Sequence, residues 1–125
     1  MNIELEQNRK LEDVEQDFNR AFPYLKLEFT IKSKLAHKQI DNQLLANRIT
    51  LTIGDLNKAI IPCSVEITGT MTVFELERLF TSKIDLPVRI LRKSGNIWMG
   101  TSFTNNWTLA QQNEHGREIS TLRIS

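Results

Sequence analysis

The chain has 125 residues, 40% hydrophobic and 25% charged, which suits one domain with a real core and is too short for two comfortable ones. Its 16 Lys and Arg stand against 15 Asp and Glu, for a formal net charge of +1, and this excludes a global field drawing the protein onto DNA or an anionic membrane; such a role needs local patches. A lone cysteine, Cys63, excludes an intramolecular disulfide and fits a reducing compartment.

The N-terminal stretch MNIELEQNRKLEDVEQDF is acidic and broken by charge from its fourth residue, unlike the apolar segment of a secretory signal. No apolar run approaches the ~18–20 residues of a membrane span. A cytoplasmic protein without a membrane role is the expectation, and the match of Asn106–Trp107–Thr108 to an N-glycosylation site then carries no chemistry.

Residues 4–21 read as a helix, because Leu11, Val14, Phe18 and Ala21 recur at three- and four-residue steps and Pro23 ends the pattern. The stripe is narrow, so the helix is expected at the periphery of the domain. Leu25, Leu27, Phe29 and Ile31 then alternate with Lys26, Glu28, Thr30 and Lys32, a half-buried strand. From Ser33 to Asn47 the pattern dissolves, and a long loop and a short helix are equally compatible with it. Ile49, Leu51 and Ile53 alternate as a second strand closed by Gly54, and SVEIT after Pro62 is a third. Thr72 stands three residues before Glu75, the spacing of a capping box, ahead of a core helix over 73–83 carrying Val73, Leu76, Leu79 and Phe80.

VRILRK and IWMGTSF flank Gly95–Asn96, a two-residue hairpin turn in which both residues tolerate positive φ. In the register this turn sets, Lys93 faces Trp98, Leu91 faces Gly100 and Arg89 faces Ser102, while Val88, Ile90, Ile97, Met99 and Phe103 share the core face. Thr108 and Gln111 form another capping-box pair, with Gly116 placed to end a short final helix. The fold class that follows is α+β: a single domain over 1–125, with a four- to five-stranded mixed or antiparallel sheet, a central helix packed on it and an extra N-terminal helix.

Strand–strand–helix–strand–strand from Arg48 to Phe103 loosely resembles the element order of ubiquitin-like β-grasp domains. The chain ends in TLRIS and lacks the Gly-Gly that conjugation uses, so that role does not carry over. RKSGNIW followed by WTLAQQN, within roughly residues 72–118, resembles small bacterial proteins of unknown activity. That resemblance implies no catalytic residues.

The candidate binding residues are Arg89, Leu91, Lys93, Trp98 and Trp107. An exposed tryptophan among cations is suited to anchor a protein partner or to stack nucleobases; the competing reading is that the first helix or the C-terminal tail covers Trp98 and Leu91. Cys63 with His37 or His115 is the best that nucleophilic chemistry finds, without a motif that joins them. Neither spacing nor composition points to a metal or a cofactor. Glu75 reads as a cap and Glu77 as part of a solvent face. A non-catalytic protein-interaction module leads, with a weak single-stranded nucleic-acid binder acting through residues 88–103 second and a small enzyme third; the oligomeric state stays open.

Overall fold

Ile3 and Leu5 alternate with Asn2 and Glu4, and period two prevails over helix here. In the computed structural model, which describes residues 1–30 and 51–121, Asn2–Leu5 is strand β1, with Ile3 and Leu5 fully buried. It pairs antiparallel with β3, Cys63–Glu66, setting Ile3 against Val65 and Leu5 against Cys63. The helix expected from residue 4 is therefore confined to α1, Leu11–Ala21. Leu11, Val14 and Phe18 face the core as their spacing predicts, whereas Ala21 is exposed.

Pro23 follows the end of α1 directly, and β2, Leu25–Phe29, buries Leu25, Leu27 and Phe29. Helix α1 lies along the edge of β2: the Phe29 N–H donates to Glu15 Oε2 (3.2 Å) and Asn19 Nδ2 donates to the Leu25 carbonyl (2.8 Å). These bonds occupy backbone groups that an edge strand otherwise offers to other chains. The stretch 33–47 and His37 lie outside the described residues, as do Ile31, Lys32, Arg48, Ile49 and Thr50.

The second expected strand is not one in its described part. Thr52 forms a single bridge to Lys10, and Ile53–Leu56 is a one-turn helix, α2. Thr52 Oγ1 accepts from the Asp55 N–H while the Asp55 carboxylate accepts from the Thr52 N–H, so a capping box hidden in TIGD overrides the alternation. The same device works as read for α3, Val73–Ile84, where Thr72 and Glu75 cap each other reciprocally. Val73, Leu76, Phe80 and Ile84 point inward, and Asp85 closes the helix in the left-handed region at φ 53°.

Glu77 departs from its expected place on the solvent face. It is half-buried, and burial pushes its carboxyl above the usual range. A carboxyl raised in the folded state favours folding at low pH and loses that contribution as pH rises through its folded value. Glu77→Gln is accordingly expected to raise the melting temperature near pH 7 and to give a smaller gain near pH 4, where the parent is largely protonated as well; paired thermal melts at the two pH values measure it.

Five strands and four helices in the described residues make the fold α+β, with the strands in two antiparallel sheets, β1-β3 and β2-β4-β5. The central strand of the larger sheet is β4, Val88–Ser94, between β2 and β5, Ile97–Gly100. Leu27 sits opposite Ile90 and Phe29 opposite Val88, and these side chains join Leu76 and Phe80 of α3 in one buried cluster that also takes in α1 and both sheets. After a 3-10 turn at Ser102–Thr104 comes α4, Leu109–Thr121, capped by Thr108 and Gln111. Gly116 does not end α4. It is buried within the helix, where an added Cβ would come 2.9 Å from Tyr24 Cβ and 3.1 Å from Arg92 Cγ, so the missing side chain lets α4 approach the sheet. No helix among the described residues is long and apolar enough to cross a membrane.

A candidate interaction surface on the hairpin

The turn at Gly95–Asn96 fixes everything around it. Gly95 has φ 66°, while Asn96 is not among the positive-φ residues; positive φ at the first central position alone is the pattern of a type II′ turn. Lys93 then pairs with Trp98 and Leu91 with Gly100, as the spacing predicts. Arg89 does not face Ser102, because β5 stops at Gly100 and Ser102 enters the 3-10 turn. Its cross-strand neighbour is Glu28 on β2, whose Oε1 accepts from Arg89 Nε at 2.9 Å and lies 2.7 Å from Nη2.

Arg89, Leu91, Lys93 and Trp98 thus leave the sheet on one face. Leu91 is only 7% exposed, while Trp98 keeps 37% of its surface. Helix α1 borders the tryptophan without enclosing it: Glu12, Glu15, Gln16 and Asn19 form one wall of an open groove of about 330 Å³, with Lys26 and Trp98 on the other side. Of the two apolar residues on this face, Leu91 is covered and Trp98 only partly, with α1 at the side of the indole.

Trp107 does not join this group. It stands by Arg92, which leaves β4 on the opposite face, with the guanidinium carbon 5.9 Å from the ring centroid. His115 of α4 meets the same indole edge-on at 5.5 Å. Arg92 Nη1 donates to Gln112 Oε1 at 2.7 Å, and the fully buried Gln112 donates in turn to the Thr104 carbonyl and hydroxyl, each at 2.8 Å. Arg92 Nε is buried without a hydrogen-bond partner, and burial lowers the pKa of the guanidinium. The signal for this cluster was present in the sequence: Arg92 falls two residues after Ile90 on a strand, which assigns it to the core face.

That core face does not reach β5. Ile97, Met99 and Phe103, expected inside, are 60%, 46% and fully exposed. The reason lies in the level at which α4 crosses. Met99 sits opposite Arg92, whose side chain turns to Gln112 of α4, so the polar cluster ends the apolar core at β4. All four β5 residues are exposed, and its outer edge has no strand beside it among the described residues.

Cys63 packs half-buried against the core, and His115 lies against Trp107. Among the described residues, no three His, Cys, Asp or Glu side chains are grouped to hold a metal ion. Compared with known protein families, curated proteins and solved structures, the chain has no match in any of the three.

Proposed function

We propose that the protein is a non-catalytic, cytoplasmic interaction module that receives an extended segment of a protein partner along the outer edge of β5. The observation that carries this reading is the exposure of Ile97, Trp98 and Met99 on an uncharged edge strand, with fully exposed Phe103 beyond it. Monomeric proteins blunt such edges with charge, proline or cover, and strand addition uses the free backbone groups for affinity and the alternate side chains for choice of partner. Nucleic acid is the weaker reading, since Glu28 neutralises Arg89 and Glu12 and Glu15 line the groove beside Trp98.

Two variants test it. Ile97→Lys places a charge on the strand, and Trp98→Ala removes the largest side chain bordering the groove. A protein retained from host extract by the parent is expected to bind the Trp98 variant about 1–2 kcal/mol more weakly, roughly a five- to thirtyfold loss, and to be lost with Ile97→Lys. Melting temperatures should change little. Unaltered retention by both variants, or a Trp98→Ala that unfolds the domain, makes the hairpin a structural corner only.

A further inference from the structure

The hydrogen-bond parity of the hairpin says which groups β5 offers. Ser94 and Ile97 flank a two-residue turn, so they are a hydrogen-bonded pair, and Arg92 with Met99 is the next. Trp98 and Gly100 therefore direct their N–H and C=O groups away from β4, to the open edge. Their side-chain positions share one face of the sheet, while Ile97 and Met99 share the other.

We infer that the segment received by β5 is β5 of a second copy of this chain, docked antiparallel with Met99 opposite Met99; this rests on the reading of β5 as an interaction edge. A two-fold axis perpendicular to the sheet keeps each face on its own side, so residues placed opposite each other must share a face. With Met99 at the axis, Trp98 pairs with Gly100 of the second copy and Gly100 with its Trp98. The outward N–H and C=O of both residues are then satisfied by symmetry within the strand itself. Centred on Trp98, the register leaves Gly100 to pair with Asn96 in the turn; centred on Gly100, it sets Trp98 against Ser102, which lies in the 3-10 turn beyond the strand.

Side chains and charge agree with this register. A Cβ built on Gly100 meets nothing within 4 Å, so the position facing Trp98 is open, and the indole keeps its place beside the α1 groove. No residue of IWMG is charged, so self-pairing sets no like charges opposite each other. The nearest cations of the hairpin, Arg92 and Lys93, are one strand back. The product is a continuous six-stranded sheet in the order β2-β4-β5-β5-β4-β2. A four-residue edge buries less than the ~1,200 Å² of stable interfaces, so the dimer is a weak one that forms with concentration.

Sedimentation equilibrium from about 10 μM to about 1 mM should show a monomer–dimer equilibrium for the parent. In Met99→Lys, which sets two lysines face to face, the dissociation constant should rise at least about tenfold. Cross-linking reads the register in a Cys63→Ala background. Met99→Cys should form an intermolecular disulfide under mild oxidation, because Cα atoms of a non-hydrogen-bonded pair lie about 4.5 Å apart; Ile97→Cys and Trp98→Cys should not. A parent that stays monomeric at the top concentration, or cross-linking that is equal at the three positions or greatest at Trp98→Cys, overturns the inference. If the parent is monomeric but Ile97→Lys still loses a protein captured from extract, self-pairing falls and the β5 edge stands. If the β5 variants lose nothing, both fall.

Discussion

Replacing Phe80 by Ala is expected to lower the free energy of unfolding by about 3–5 kcal/mol. Phe80 is fully buried on α3 and meets Phe29 of β2 edge-to-face, ring centroids 5.9 Å apart, an arrangement that adds to area burial alone. Val88 pairs with Phe29 and Ile90 with Leu27 on the same core side, so truncation opens a cavity between the helix and two strands that no single side chain refills. Against the roughly 5–15 kcal/mol that holds a typical domain together, the loss is severe. Denaturant melts measure it as a lowered midpoint with little change in slope, and a midpoint equal to the parent's would show that α3 does not pack on β2 and β4 as described.

Gly116→Val should cost about 1–3 kcal/mol through overpacking. In an exposed helix, losing a glycine is favourable. Here the sign reverses, because the new Cβ meets Tyr24 Cβ at 2.9 Å, Arg92 Cγ at 3.1 Å and the Tyr24 carbonyl oxygen at 3.2 Å. The last of these is backbone, held by the Lys93 N–H at 2.9 Å, and cannot swing aside. Relief therefore requires α4 to lift from β4, which also strains the bond from Arg92 to Gln112. Thermal melts should show a clear drop for Gly116→Val, and a variant melting at or above the parent would contradict this packing.

Local chemistry made some elements legible and long-range packing hid others. Thr72 and Glu75 announce α3 because a capping box is complete within four residues. The hairpin register is legible because the turn counts residues for both strands. β1 is hidden because two alternating apolar residues are a weak signal beside a strong helical stripe, and its strand character depends on β3, some sixty residues away. Gly116 reads as a helix stop until the sheet beneath it is known. At the candidate site, the face that carries Trp98 and Lys93 follows from parity alone. The exposure of Ile97 and Met99 does not, because it depends on where α4 crosses and on Arg92 interrupting the core, and nothing within β5 encodes that.

Residue-resolved amide exchange tests most directly whether the outer edge of β5 is where this protein is bound. In dilute protein the N–H groups of Ile97 and Met99, paired with β4, should exchange slowly, and those of Trp98 and Gly100 fast. Once the edge is occupied, by a captured protein or by a second copy at high concentration, the Trp98 and Gly100 amides should become protected together. Protection appearing elsewhere on the molecule while these two amides still exchange fast would contradict the account.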